Sequence, residues 1–196
     1  MQWASSKRLR EAPVDCVWWD QVELSVSPGA MRRGLFDRYS IDLNGHNAEV
    51  FHRAADVLLS YRIFPPSRLQ AFICNPERRA ALGATIVQRV LLGPIGFEVA
   101  TRVTDVFDVE NGGEHRVGFT YATLRGHPER GIATFTVRRE ELSGRVSFTI
   151  ETWSRPGNWL SVALRPLARF IQKQSNKEAL VYVRTLVATQ QLESKL

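Results

Sequence analysis

The chain has 196 residues, 44% of them apolar and 23% charged, which is typical of a globular protein and excludes bulk disorder. This length is sufficient to bury a continuous core, and we predict a single domain over residues 1–196. The formal net charge of +6 is either a solubilising surface charge or a sign of an anionic partner.

The spacing of the cysteines and the length of the apolar segments indicate the cellular compartment of the protein. Cys16 and Cys74 are far apart and lack the spacing of a zinc knuckle or a redox motif, so we predict two free thiols in a reducing cytoplasm. No apolar region follows the basic residues near the N-terminus, as a secretory signal would require. Arg165 and Arg169 interrupt the best candidate for a membrane span. The predicted location is cytoplasmic.

The N-terminal third contains three predicted segments. Residues 1 to about 12 are polar and are expected to form a loose tail. Val14 to Val26 is rich in β-branched and aromatic residues, which predicts a strand. From Val50 to Tyr61 apolar residues recur at helical spacing, with Asn47 available as the N-cap. We therefore predict one amphipathic helix there.

The middle of the chain alternates apolar and polar residues for about ninety residues, and turn signals divide the runs. This pattern predicts an antiparallel meander. The predicted strands are Ala84–Leu92, Phe97–Val109, Arg116–Leu124, Ile132–Arg139 and Arg145–Trp153.

The C-terminal segment returns to helical spacing, with Leu167, Ile171, Val183 and Val187 on one face. Pro166 either begins this helix or kinks it. The predicted fold class is α+β, with a curved antiparallel sheet wrapped around a long C-terminal helix. Such a helix grip leaves a pocket between helix and sheet unless large side chains fill it.

Three separated motifs resemble a known family. They are AADVLLSYRIFPP, VGFTYATLRGHPERG, and TIETWSRP with RPLARFIQKQ behind it. In this order they resemble the uncharacterised bacterial and plant family catalogued as domain of unknown function nineteen-ninety, over roughly residues 35 to 188. That family is similar to the START and Bet v 1 helix-grip proteins, which implies a cavity for apolar ligands between sheet and helix.

The sequence departs from the family pattern around the second motif. Ala122 stands where members usually have glycine, and Ile132 and Ala133 replace acidic residues. The departure weakens any hypothesis that places a catalytic carboxylate just after this loop.

The loop from Arg125 to Gly131 gathers the candidate polar site residues. Arg125, His127 and Arg130 are candidates to meet an anionic or polar ligand group, and His127 with Glu129 is the candidate acid–base pair of an enzyme. The competing interpretation is a plain turn, with Glu129 paired to an arginine.

Arg155 closes the last predicted strand and is a candidate clamp for a carboxylate or phosphate. Alternate connections of a meander lie at the same end of the sheet, so we expect Arg155 near the Arg125–Gly131 loop.

Five apolar side chains are predicted to line the cavity. They are Phe119, Tyr121, Phe148, Ile150 and Trp153. The favoured function is therefore a non-enzymatic binder or carrier of a small apolar or amphiphilic molecule.

Two alternatives remain open. One is a hydrolase, cyclase or isomerase that uses His127 and Glu129. The other is a peripheral binder of membranes or other anionic surfaces that works through basic residues of the C-terminal helix, such as Arg169, Lys173 and Lys177. No nucleic acid partner is expected, and oligomeric state is left open. Because nucleotide, hydrolase and metal motifs are missing, we predict no cofactor and no metal site.

Overall fold

The computed structural model describes residues 2–27, 34–156 and 165–193. Within these ranges the strands are β1 (Gln2–Ser5), β2 (Leu35–Asp42), β3 (Leu69–Ile73), β4 (Thr85–Leu92), β5 (Ile95–Asn111), β6 (Glu114–Thr123), β7 (Glu129–Glu140) and β8 (Val146–Pro156). The helices of the same ranges are α1 (Ser6–Glu11), α2 (Cys16–Gln21), α3 (Ala48–Leu59) and α4 (Arg165–Glu193).

The strands form one antiparallel sheet. Its order is β2-β8-β7-β6-β5-β4-β3, and β1 pairs with the start of β5, before β5 begins to pair with β6. Strand β5 is 17 residues long and contains a register shift between Val103 and Asp105, where a bulge bends it. The predicted meander of five consecutive strands is confirmed as β4 to β8.

Helices α3 and α4 lie on one face of this sheet, which we call the inner face. The Asn47 side chain accepts a hydrogen bond from the Val50 amide at 2.9 Å, so Asn47 is the N-cap predicted for α3. The described part of helix α4 runs from Arg165 to Glu193 and has Pro166 as its second residue. The curved sheet with a long C-terminal helix confirms the predicted fold class.

The main core lies between the inner face and the two helices. Strand alternation sends Phe148 and Ile150 of β8 inward, where both are fully buried, and sends Trp153 to the opposite, outer face. Helix α4 contributes Ala179 and Val183 to the same core. Burial of these side chains is the dominant force that holds α4 against the sheet.

The predictions for the N-terminal segment are wrong. The expected loose tail contains β1 and α1, and the expected strand from Val14 to Val26 contains helix α2, whose N-cap is Asp15. The reason lies in the sheet, because β4, β5 and β6 also carry apolar residues on the outer face. Trp19 packs there against Val87, Ala100 and Leu124.

Polar contacts fix this segment in place. The Arg102 guanidinium donates to the carbonyls of Trp19, Asp20 and Val22, at the end of α2. The Trp19 indole donates to Glu98 at 2.9 Å, and Glu98 also pairs with the buried Arg89 at 2.8 Å.

The prediction of two free thiols is also wrong, since Cys16 and Cys74 form a disulfide across 58 residues of sequence. It joins the start of α2 to the residue that follows β3. Sequence separation hides this contact, because only the packing of α2 on the outer face brings the two cysteines together. The thiol argument for a cytoplasmic location therefore no longer holds, since disulfides persist mainly in oxidising compartments.

No helix of the described residues combines the length and the apolarity that crossing a membrane requires. The same residues contain no group of three or more His, Cys, Asp or Glu side chains placed to hold a metal ion. The single-domain assignment stays a prediction.

Candidate ligand-binding site

A buried hydrogen-bonding cluster on the inner face begins at Tyr61, just after α3. Tyr61 has φ of 54°, a left-handed conformation that glycine normally supplies at a helix end. Two hydrogen bonds hold it there, from Tyr61 N to the Leu58 carbonyl and from Arg62 N to the Val57 carbonyl, both at 2.9 Å. The phenol is thereby buried in the core. A bulky residue held in a costly conformation is often part of a functional site.

Gln88 of β4 and Tyr121 of β6 complete the centre of this cluster. The Gln88 side-chain amide donates to the Tyr61 hydroxyl at 3.0 Å and to the Thr101 hydroxyl at 3.3 Å. The Tyr61 and Tyr121 rings lie 6.3 Å apart between centroids. These four side chains, Tyr61, Gln88, Thr101 and Tyr121, are the inner-face cluster.

Both phenols of the cluster are held in the neutral form. Burial raises the pKa of Tyr61 well above its ordinary value, and the neighbouring Tyr121 acts in the same direction. Burial also raises the pKa of Tyr121, and the negative charge of Glu129 adds to this rise. The cluster therefore presents uncharged donors and acceptors at neutral pH.

Small residues lie beside the cluster on β7. Gly131 and Ala133 face inward, with Tyr121 on one neighbouring strand and Thr152 on the other. A Cβ atom added to Gly131 would lie 2.6 Å from the Trp153 carbonyl oxygen, so this position excludes a side chain. This part of the inner face therefore carries little side-chain volume and has Tyr121 and Thr152 on the neighbouring strands.

Two buried polar atoms, one on β8 and one on α4, lack a hydrogen-bond partner within the protein. They are Oγ1 of Thr152, on β8, and Nδ2 of Asn176, on the face of α4 that carries Ala179 into the core. Buried polar groups are nearly always satisfied, so unpaired ones need an explanation. A bound molecule that hydrogen-bonds to them would supply one.

An open groove of about 600 Å³ runs between α4 and the segment that precedes β3. An ion pair between Arg68 and Glu178, at 3.3 Å, joins its two sides. Phe64 is a neighbour of both features, because its ring lies 6.0 Å from that of Tyr61 and the next residue, Pro65, lines the groove. The other lining residues include Lys177, Val181, Tyr182 and Thr185.

The predicted cavity side chains do not form one surface. Phe119, Phe148 and Ile150 are fully buried against other core residues, and Tyr121 is half-buried in the inner-face cluster. Trp153 is 37% exposed on the outer face, where its ring packs against Phe36. Strand alternation separates Trp153 from Phe148 and Ile150 of the same strand, because it stands an odd number of residues from each of them.

The loop residues are likewise distributed. Arg125 is exposed and pairs with Glu23 of the N-terminal segment at 2.9 Å. Arg130 and Arg155 are cross-strand partners of β7 and β8, which confirms the expected closeness of Arg155 to the loop. Both arginines are exposed on the outer face, so the sheet itself separates them from the inner-face cluster.

His127 is turned back on its own loop. Its Nδ1 lies 2.8 Å from the Glu129 carbonyl oxygen and 3.1 Å from the Glu129 amide nitrogen. Burial lowers the pKa of His127 to about 4, although the Glu129 backbone partly opposes this effect. The imidazole is therefore neutral near pH 7 and poorly matched to acid–base catalysis there. The contact between His127 and Glu129 thus involves the Glu129 backbone and not its carboxylate.

Sequence reasoning missed Gln88 and Thr101, and treated Tyr61 only as part of a possible entrance. A signal was present, because Gln88 falls two residues after Ile86 in an alternating run and so shares its inward face. A polar residue at a predicted core position indicates a buried hydrogen bond.

Comparisons with known proteins agree with this architecture. The family model described as "Domain of unknown function (DUF1990)" matches residues 25–181. A UPF0548 protein of Dictyostelium discoideum is 25% identical over 147 residues, which are 70% of this chain and 66% of that protein. The first 24 residues, which cover the outer face, lie outside the family match.

Solved structures are similar in fold. Norcoclaurine synthase of Thalictrum flavum, as a point mutant with a transition state analogue, has a TM-score of 0.51 at 10% identity and covers 81% of this chain and 97% of its own. Ara h 8.0201 has a TM-score of 0.51 at 9% identity, covering 80% and 99%. Hypothetical protein jhp0584 of Helicobacter pylori has a TM-score of 0.52 at 12% identity, covering 81% and 95%. The chain thus belongs to the DUF1990 family and has a Bet v 1-like helix-grip fold.

Proposed function

We propose that the protein binds a small amphiphilic molecule between the sheet and α4. The apolar part of the ligand enters from the groove beside α4, and its polar group reaches the inner-face cluster. The observation that carries this proposal is the buried set of hydrogen-bonding side chains at Tyr61, Gln88 and Tyr121, inside a fold that grips a helix. A purely structural core would be expected to use apolar residues at these positions.

The fold supports a small-molecule partner. The norcoclaurine synthase structure, which shares this fold, is a complex with a transition state analogue, so that protein holds a small molecule. The groove volume of about 600 Å³ lies in the usual range for ligand sites. Each methylene group buried by the ligand contributes about 0.8 kcal/mol before the costs of association.

The chemistry of the site favours an uncharged polar group on the ligand. The inner-face cluster consists of phenols, an amide and a hydroxyl, and the inner positions nearest to it on β4 to β8 contain no Lys or Arg among the described residues. Glu129, the charged side chain that acts on Tyr121, is negative. An alcohol, ketone or amide therefore fits better than a carboxylate. This revises the expectation that Arg125, Arg130 or Arg155 would meet the ligand's polar group.

Native mass spectrometry of protein purified from cells, followed by solvent extraction, tests the proposal directly. We expect a co-purifying molecule that solvent removes. Displacement of Nile red by decan-1-ol and by decanoate then tests the polar group. We expect the alcohol to bind at least about tenfold more tightly than the carboxylate. A difference of this size corresponds to one hydrogen bond, or to the repulsion between the carboxylate and Glu129.

Matched variants locate the site. Gln88→Leu and Tyr121→Phe should weaken the displacement by decan-1-ol, because each removes a hydrogen-bonding group of the cluster. Ser40→Ala is the control, since it removes a hydroxyl bonded to Thr149 at 2.9 Å on the outer face of the same sheet. Equal binding by all variants, or no probe binding by the wild-type protein, would overturn the proposal.

A further inference from the structure

An exposed aromatic pair lies on the outer face, at the β2 edge of the sheet. Phe36 of β2 and Trp153 of β8 are register partners, with ring centroids 4.7 Å apart. Phe36 is 45% exposed and Trp153 37% exposed. The next partner along this row, Ile132 of β7, is half-buried. Residues 2–27, the described part of the N-terminal segment, cover the outer face further along the sheet, and Phe36 and Trp153 keep the exposure given above.

Two unpaired arginines adjoin the aromatic pair. Arg130 and Arg155 are direct partners of β7 and β8, two residues from Ile132 and Trp153 along their strands. Both are exposed, and in the described part of the chain neither makes an ion pair or a side-chain hydrogen bond. Like charges directly opposite each other destabilise a sheet, so this pair costs free energy unless an anion lies over it.

Other arginines of this surface behave differently. Arg38 lies near Glu151 at 3.7 Å, and Arg125 pairs with Glu23 at 2.9 Å. Beside the aromatic pair, the described arginines without an ion pair are therefore Arg130 and Arg155. We call Phe36, Trp153, Arg130 and Arg155 the outer patch.

We propose that the outer patch docks the protein onto a membrane that contains anionic phospholipids. Paired guanidinium groups recognise phosphate oxygens well, and tryptophan favours the interface between head groups and acyl chains. The two rings pack against each other and form one apolar surface on an outer sheet face. Single-stranded nucleic acid would instead require free ring faces along a basic groove. A membrane therefore fits the patch better than a nucleic acid does.

This inference concerns a surface on the opposite side of the sheet from the inner-face cluster and does not depend on the proposed ligand. It also differs from attachment through the basic face of α4, where Lys173 and Lys177 are exposed. The two surfaces can be separated by mutation, because each contributes two positive charges.

Co-sedimentation with vesicles tests the proposal. The wild-type protein should sediment with phosphatidylcholine vesicles that contain about a third phosphatidylserine, and not with pure phosphatidylcholine, and high salt should weaken the binding. The double variant Arg130→Gln, Arg155→Gln should bind about tenfold more weakly or worse, since each basic residue near an anionic surface contributes substantially. Trp153→Ala should also weaken binding.

The control is the double variant Lys173→Gln, Lys177→Gln, which changes the net charge equally and should bind as the wild type does. Thermal unfolding of every variant checks that the fold is kept. The proposal is overturned if the lysine variant loses binding as strongly, if neutral and anionic vesicles bind equally, or if the protein sediments with neither. Suppression by millimolar inorganic phosphate at constant ionic strength would show a free phosphate site instead, and tighter binding to single-stranded DNA would show a nucleic acid surface.

Discussion

Gln88 and Tyr61 are joined by a hydrogen bond of 3.0 Å in the interior of the protein, although 27 residues separate them in sequence. The bond links the end of α3 to the fourth strand of the sheet. Tyr61 holds a left-handed backbone conformation to reach it. This relationship organises the inner-face cluster, since Gln88 also donates to Thr101 and the Tyr61 ring lies 6.3 Å from that of Tyr121.

Replacing Tyr61 by phenylalanine should destabilise the protein by about 1–2 kcal/mol, the usual cost of a buried group left without its partner. The Gln88 amide would retain only the longer bond to Thr101, at 3.3 Å. Urea unfolding measures the difference. Tyr182→Phe, at a half-buried position on α4, is the control and should change stability by less than about 0.5 kcal/mol. Equal losses in both variants would contradict the role assigned to Tyr61.

Glu98→Gln should destabilise the protein by about 3 kcal/mol or more, because it leaves a buried guanidinium without its counter-charge. Arg89 is 1% exposed and pairs with Glu98 at 2.8 Å, and Glu98 also accepts from the Trp19 indole. Glu151→Gln breaks the looser pair with Arg38 and should cost less than about 1 kcal/mol. Thermal or urea unfolding compares the two. Similar costs would show that burial of the Arg89 pair has no energetic consequence.

Cys74→Ser should lower the free energy of unfolding by about 2–4 kcal/mol, because the disulfide restricts the unfolded chain over 58 residues. Urea unfolding without reductant measures this loss. In dithiothreitol the wild-type protein and the variant should unfold at the same urea concentration. Two titratable thiols in the native, oxidised protein would contradict the pairing.

His127 should make stability depend on pH between about 6.5 and 4. Its folded pKa of about 4 lies below the unfolded value near 6.5, so the unfolded state binds more protons in this interval. The contribution is fully present above about pH 6.5 and is lost as the pH falls towards 4. Because the residue is half-buried, we expect a loss on the order of 1–2 kcal/mol.

The variant His127→Gln isolates this contribution. The urea midpoint of the wild type should fall more steeply than that of the variant when the pH is lowered from about 7 to about 4.5. Carboxylates affect both proteins alike, so the difference between the two slopes reports His127. Parallel slopes would show that the imidazole titrates as it does in the unfolded chain.

Residue periodicity predicted helices and strands correctly where one face of the element is buried and the other is exposed to solvent. The spacing from Val50 to Tyr61 and the N-cap Asn47 predicted α3, and period-two alternation predicted β4 to β8. Closeness of Arg130 and Arg155 also followed from the alternation of turns in a meander. Successive residues of a strand face opposite sides of the sheet, so counting along β8 from Ile150 would have placed Trp153 and Arg155 on the outer face.

The packing of the N-terminal segment on the outer face could not be predicted from periodicity. Arg89 and Glu98 look like solvent-exposed residues in the sequence, yet they are buried beneath Trp19, because a second layer covers the outer face. Charged side chains are buried in pairs only where tertiary packing brings a partner to them. The Cys16–Cys74 bond has the same origin.

The sequence alone determined the class of fold and the family, because periodicity, caps and short motifs are local properties of the chain. Tertiary structure decided which face each candidate side chain occupies, and with it the division into an inner cluster and an outer patch. That division depends on strand register and on what covers each face. Both result from contacts between residues tens of positions apart, whereas a local pattern gives only the alternation of side chains within one strand.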